Sequence, residues 1–261
     1  MVNWRNTTDE SRRRWEENAD YWDERMGEHS NRFHREIVRP ATERLLCLSA
    51  GDTVLDIACG NGNFSRRMAE LGANVIAFDY SATLVERARA RCSEHLDKIS
   101  FHVADATVLE EIMALGEIGS IDKAVANMAF MDIADLEPML TAVHALLRGD
   151  GVFVYSLSHP CFQTRCRRVV SETVDIGDRL ETKHSIQVFE YATPSTFEGL
   201  ALAGQPVAHF YYHRPLSQLL NQCFAAGFVV DGLEEPVFAD EVGKSPWGEI
   251  PPALIVRLRK V

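Results

Sequence analysis

VLDIACGNGNFS (Val54–Ser65) carries an apolar strand pattern into a glycine loop and then into a helix. Gly60 and Gly62 let the backbone turn sharply and leave room for a ligand against the main chain. The helix that follows presents free N–H groups at the loop, which suits an anionic group. By itself this loop is also compatible with a dinucleotide fingerprint in which Ser65 stands where the third glycine would be.

Outward from the loop, strand and helix patterns alternate. TVLDIA reads as a first strand, and Phe64, Met68 and Leu71 mark a helix ended by Gly72. ANVIAFD is a second strand, and Ser81 caps a helix carrying Leu84, Ala88 and Cys92 on one face. ISFHVAD, a short helix from Val108 to about Leu115, and IDKAVAN come next. A helix bearing Leu136, Met139, Leu140, Val143 and Leu147 stops at Gly149, and GVFVYSLS is a fifth strand. Such alternation predicts a parallel sheet covered on both faces.

On the N-terminal side, Trp15, Ala19, Trp22 and Met26 form one apolar helical stripe, read chiefly as core. A second helix is expected from about Phe33 to Leu48, disturbed by Pro40. On the C-terminal side the alternation breaks over His159 to Tyr212. It resumes with Pro215 and the periodic residues Leu216, Leu219, Leu220, Cys223 and Phe224, closed by Gly227. FVVDGLEEP and PALIVRLRK supply two last strands. The expected architecture is one domain over 1–261. It comprises a helical extension (1–50), a ligand-binding core (51–158), a covering insertion (159–212) and a last helix with two closing strands (213–261).

Composition excludes several classes. At 46% hydrophobic and 25% charged residues the chain is ordinary for a globular protein. No apolar run is long enough to span a membrane, and the N-terminus lacks a signal-peptide pattern, so a cytoplasmic location is expected. The six cysteines form no CxxC pair, so no metal is expected. A net charge of −11 argues against nucleic acid as a partner.

Three acids sharpen the ligand. Asp56 lies inside the first strand, where a carboxylate is costly unless something uses it, and a cationic ligand could. Asp79 ends the second strand, where a carboxylate can accept both hydroxyls of a ribose. Asp105 ends the third, beside the same crevice at the carboxyl ends of the strands.

With the acids in place, VLDIACGNGNFS, FDYS, VADAT and IDKAVANMAFMDI resemble the successive motifs of class I S-adenosylmethionine-dependent methyltransferases, over about Gly51 to Ser158. The resemblance implies a Rossmann-like open α/β fold whose seven-stranded sheet is mostly parallel with an antiparallel edge strand. It also implies S-adenosylmethionine as the cofactor. Asp56 and the loop of Ala58, Gly60 and Gly62 would hold its amino-acid part, and Asp79 with Tyr80 its ribose. Asp105 and Ala106 would meet the adenine edge, while Asn127 and Met128 line the reaction side. NMAF (Asn127–Phe130) is not the motif of enzymes that methylate base amino groups. SLSHPCF and YHRPLSQLLNQCFAAGF resemble a bacterial branch of small-molecule methyltransferases in which the intervening segment covers the substrate.

The implied reaction moves a methyl group to an O, N or C centre of a small metabolite, in a monomer or homodimer. Candidate bases are His159 and His213, each of which could instead cap a strand or helix end. Tyr21, off the Trp15 stripe, is a candidate ligand contact. Arg165, Arg167 and Arg168 could attract an anion or form a solvated face. Three alternatives stay open: a nicotinamide-dependent oxidoreductase, a non-catalytic binding scaffold, and transfer of another group from a related sulfonium.

Overall fold

A computed structural model describes Trp4 and residues 7–261. Helix α1 (Thr8–Met26) ends at Gly27, whose φ of 53° a side chain would resist. A π-helical turn, His34–Val38, runs into α2 (Arg39–Leu46), so the expected helix is split. The split falls just before Pro40, which cannot supply an N–H to a regular ladder. Then β1 (Thr53–Ile57), α3 (Asn63–Glu70), β2 (Asn74–Asp79), α4 (Ala82–Arg91) and β3 (Ile99–Val103) alternate. They are followed by α5 (Leu109–Met113), β4 (Ile121–Ala126), α6 (Glu137–Leu146) and β5 (Leu147–Ser158). Ser81 caps α4 as expected, its Oγ accepting the Leu84 N–H at 3.1 Å.

Within 159–212 the chain folds into two antiparallel pairs: β6 (Arg168–Asp175) with β7 (Leu180–Gln187), and β8 (Ser195–Gly199) with β9 (His209–His213). Helix α7 (Leu216–Ala225), β10 (Phe228–Glu234) and β11 (Ala253–Lys260) complete the fold.

The main sheet has seven strands in the order β3-β2-β1-β4-β5-β11-β10. The first five are parallel, and β11 runs antiparallel to both β5 and β10. The antiparallel strand thus sits one in from the edge. After β3 the chain crosses back over β1 to place β4, so β1 and β4 flank the point where the winding direction reverses. Loops leaving their carboxyl ends diverge there and open a crevice.

Strand alternation sorts side chains into two cores. Leu55, Ile57, Phe153 and Tyr155 face α6 and α7, where Tyr155 stacks on Phe130 at 3.9 Å between ring centroids. Val54, Val75, Val125 and Ile255 face the layer of α2 and α3. Asp56 is on that second face, two residues from Val54.

Candidate functional site

Two cavities meet over the carboxyl ends of β1–β4. The inner one, about 720 Å³ including its open mouth, is lined by Ala58, Gly60, Asp79, Tyr80, Asp105 and Ala106, and also by Met128 and Asp132. The outer one is larger, about 1350 Å³ including its open mouth, and shares Trp15, Trp22, Met128, Asp132 and Tyr212 with the inner. Its remaining wall includes Phe197, His209, Tyr211, His213 and Arg167.

The glycines of the loop do different work. A Cβ on Gly60 would project into open space, with φ at 56°, so its bareness leaves the cavity free for a ligand. A Cβ on Gly62 would lie 2.9 Å from Ala88 Cβ and 3.2 Å from Cys92 Sγ. Gly62 therefore lets α3 start hard against α4 and lines neither cavity. Ala58 and Met128 hold φ values of 53° and 56° without being glycine, a backbone cost concentrated at the two loops that face each other here.

Each acid has its own environment. Asp79 Oδ2 accepts the Gly60 N–H at 3.0 Å and Oδ1 the Ser81 N–H at 2.9 Å; burial raises its carboxyl to about 6. Those bonds aim the carboxylate into the cavity from the end of β2. Asp105 accepts from Thr107 through Oδ1 and from Arg12 through Oδ2 at 2.7 Å. Asp56 does not line the inner cavity: it lies beneath the loop, where Ser65 Oγ donates to it at 2.5 Å. Burial raises Asp56 to about 7, with Asp79 adding repulsion.

Helix α1 roofs both cavities with three stripes of side chains. Trp15 and Trp22 point inward, so part of the expected core stripe is cavity wall, while Ala19 and Met26 are buried. Arg12, Glu16, Asp20 and Asp23 tie the helix to the core: to Asp105, to Ser81 and Thr83, to Arg87, and to Arg91 and Asn61 respectively. Arg14, Asn18 and Tyr21 tie it to the 159–212 segment, at Ala208, Val207 and Ala203. Tyr21 is thus a strut that reaches neither cavity. Tyr80, at the core side, lines the inner cavity and meets Ser11 at 3.2 Å.

Asn127 lines neither of these cavities but an adjoining third one that shares Trp22, Gly60 and Met128 with the inner; its Oδ1 accepts from Ser156 Oγ at 2.7 Å, and Ser156 Oγ in turn accepts the Met128 N–H at 2.8 Å. The two candidate histidines separate. His159 bonds Glu235 through Nε2 at 2.7 Å and the Cys161 N–H through Nδ1 at 3.2 Å, and lines neither of the two cavities. His213 lines the outer cavity, with Nε2 donating to the Tyr191 carbonyl at 2.8 Å. Of the arginines, Arg167 lines the outer cavity, and Arg168 lies over the Phe189 ring.

Two groups at the junction escape a reading of sequence alone. Asp132, in the turn after β4, lines both cavities, and His209 at the start of β9 lines the outer one. Arg214 fixes that turn: its buried guanidinium donates to the carbonyls of Phe130, Ile133 and Ala134, and of Tyr212. Burial lowers Arg214 to about 10. A signal for Asp132 existed, since a carboxylate in the apolar MAFMDIAD is as costly as Asp56 in its strand. No comparable signal marks His209.

Among the described residues no cluster of His, Cys, Asp or Glu could hold a metal, and no helix is long and apolar enough to cross a membrane.

Comparison with known proteins agrees with this geometry. Residues 48–191 match a family model described as a methyltransferase domain. A protein of Haemophilus influenzae is 26% identical over 243 residues, covering 86% of this chain and 87% of its own length. The ubiquinone biosynthesis O-methyltransferase of Xanthomonas axonopodis pv. citri is 32% identical over 102 residues, 39% of this chain and 41% of that protein. The crystal structure of an S-adenosylmethionine-dependent methyltransferase from Mesorhizobium loti superposes with a TM-score of 0.65. It is 26% identical, with 85% of this chain and 96% of that one covered. A crevice at the β1–β4 reversal, a bare Gly60 and a carboxylate ending β2 are what such a cofactor requires; the chain belongs to the S-adenosylmethionine-dependent methyltransferases and uses S-adenosylmethionine as its cofactor.

Proposed function

We propose that the protein methylates a small, largely planar metabolite held in the outer cavity. The single observation behind this reading is that the two cavities share Trp15, Trp22, Met128, Asp132 and Tyr212 and are roofed together by α1. An acceptor there lies against the end of the inner cavity, enclosed by aromatic rings that suit a flat molecule. The roof favours a small molecule over a polymer.

In this reading Asp79 accepts the ribose hydroxyls, and Leu84, Ala104 and Ala106 flank the adenine near Asp105. Arg12, bound to Asp105, closes that end. Gly60 leaves room for the amino-acid part, and Asp56 acts on it indirectly, as a buried carboxylate that fixes the loop through Ser65. When bound, the cofactor supplies an electrophilic methyl group on a sulfonium. The chain's part is to align the acceptor with Met128 and Asp132, and to exclude water with α1 and β9. His213 then contacts the far side of the acceptor, while His159 holds the start of the 159–212 segment to Glu235.

Titration calorimetry with S-adenosylhomocysteine tests the cofactor part. Binding should occur, and Asp79→Ala should weaken it about 100-fold, the loss of charge-assisted bonds worth about 2–3 kcal/mol. Unchanged affinity would remove Asp79 from the ribose. A screen of planar metabolites for turnover, read as S-adenosylhomocysteine release, tests the acceptor part. Turnover confined to polymers would overturn it.

A further inference from the structure

Two buried polar atoms at the junction of the cavities have no hydrogen-bond partner. They are Asp132 Oδ1 and His209 Nε2, which lie 3.7 Å apart, too far to satisfy each other. Buried polar groups are nearly always paired, so two orphans facing one space point to a missing ligand atom.

The polarity of His209 can be deduced. Gln205 Nε2 is 2.7 Å from the Val207 carbonyl, which can only accept, so that atom is the amide nitrogen. Its second hydrogen is directed at His209 Nδ1, 2.9 Å away. Nδ1 therefore accepts, and in the neutral ring the proton sits on Nε2. Burial, with help from Arg14, keeps the ring neutral by lowering it to about 4. The ring cannot swing away: Trp15 stacks on it at 4.5 Å between centroids, and Tyr211 packs at 4.6 Å. Asp132 is held by the turn that Arg214 stitches.

Burial, with Asp79 nearby, raises the Asp132 carboxyl well above its ordinary value, so the junction offers one donor and, with Asp132 ionised, one strong acceptor to a single atom. A hydroxyl oxygen fits, accepting from His209 Nε2–H and donating to Asp132. An ammonium or a ring N–H has no lone pair to offer His209, a neutral amine has only one and needs it for the methyl, and a carbon nucleophile makes neither bond, whereas a hydroxyl oxygen has a second pair to spare. The surrounding rings of Trp15, Trp22, Tyr211 and Tyr212 suit a hydroxyl on a planar ring.

We propose that Asp132 and His209 grip the acceptor's nucleophile, a phenolic or enolic hydroxyl, with Asp132 as the catalytic base and Gln205 as a positioning residue that sets the His209 tautomer. This rests on the small-acceptor reading above and narrows it to O-methylation. The O–H bond breaks with its proton passing to Asp132. The oxygen's electron pair forms the new O–CH₃ bond as the methyl's bond to the cofactor sulfur breaks, leaving that sulfur an uncharged thioether.

The test uses the full chain saturated with S-adenosylhomocysteine, whose binding is measured first. The probes are 4-nitrophenol, 2-naphthol and 4-hydroxybenzoate, each beside its methyl ether. At least one phenol should bind, with its ether about tenfold weaker or more. His209→Leu should abolish that preference while leaving S-adenosylhomocysteine affinity within about threefold; His209→Gln serves if the leucine variant does not bind it. With S-adenosylmethionine, Asp132→Asn should slow ether formation at least about 100-fold with little change in KM. Nitrogen NMR should find His209 protonated at Nε2. No phenol bound, equal binding of phenol and ether, an Nδ1-protonated His209, or a rate loss under about tenfold in Asp132→Asn would each overturn the proposal. If S-adenosylhomocysteine itself failed to bind the wild type, the methyltransferase reading would fall instead.

Discussion

The core of residues 51–158 and the cap of α1 with residues 159–212 solve opposite problems. In the core, strands β1, β4 and β5 are buried between helical layers, and the inner cavity is floored by strand ends and the loops that leave them, under the roof of α1. In the cap, β6 is almost wholly exposed and β7 is exposed or half-buried throughout, and the outer cavity is assembled from α1, the turn after β4, and β9. The cofactor is the same across a family, so a contiguous scaffold can hold it. The acceptor differs, and its site is put together from parts that can vary separately. Substitutions at five positions probe this division.

Arg214 is where the two regions are sewn together, and its loss should have the largest effect. Arg214→Ala strips hydrogen bonds from the carbonyls of Phe130, Ile133, Ala134 and Tyr212, all in buried surroundings. A destabilisation of about 3–5 kcal/mol follows, lowering Tm by roughly 10 °C. Arg214→Lys, with fewer donors, should fall between. If core and cap fold independently, melting would split into two transitions. A single lower transition shows that the Asp132 turn is common to both.

Gly62 and Gly60 sharpen the contrast within the core. Gly62→Ala meets Ala88 and must hold φ at 78°, so it should cost about 2–3 kcal/mol of stability. Gly60→Ala meets nothing but still strains its φ, at about 1 kcal/mol. Its main effect should be on S-adenosylhomocysteine affinity, about tenfold or more, because the new methyl occupies cavity space. Thermal melts and calorimetry on both variants separate a packing glycine from a binding one. Equal losses of affinity at equal stability would erase the distinction.

The sequence made that distinction invisible, since both glycines fit one motif and the neighbour of Gly62 is remote in the chain. It made the core strands plain for a related reason. Strands buried on both faces must be apolar runs, and β1, β2, β4 and β5 have no other way to sit between two layers. Strands β6 and β7 pair mainly with each other, so no buried face imposes alternation, and RVVSETVD and LETKHSIQ read as irregular segments. Asp79 and Asp105 were legible because strand ends locate them. His209 was not, because its partner Asp132 is 77 positions away in a turn and no motif spaces them.

The buried acids of the core should also give the protein a pH signature, opposite in sign to that of the cap's buried His209, which burial lowers to about 4. Asp56 and Asp79 are raised in the fold to about 7 and about 6, from an ordinary 3.8. Through these two acids the native state holds more protons than the unfolded chain between about pH 4 and pH 7, and their contribution to the stability of the cofactor-free protein falls as pH rises through that window. Asp56→Asn keeps an acceptor for Ser65 and removes one titration. Its gain over wild type should be about 1–3 kcal/mol larger at pH 8 than at pH 4. A pH-independent difference would mean that Asp56 is ionised in the fold at little cost.

The smallest effect should come from the far end of the cap. Thr173 and Thr182 face each other across β6 and β7, their hydroxyls 2.9 Å apart and both exposed. Thr173→Val keeps the β-branch and loses one solvent-competed bond, a change under about 0.5 kcal/mol. Neither S-adenosylhomocysteine affinity nor acceptor turnover should move, because no residue of β6 or β7 lines either cavity. If turnover did change, the ribbon would have to reach the outer cavity's mouth in the working enzyme. The boundary of the acceptor site would then move outward to include it, and the cap would be a folding lid more than a fixed wall.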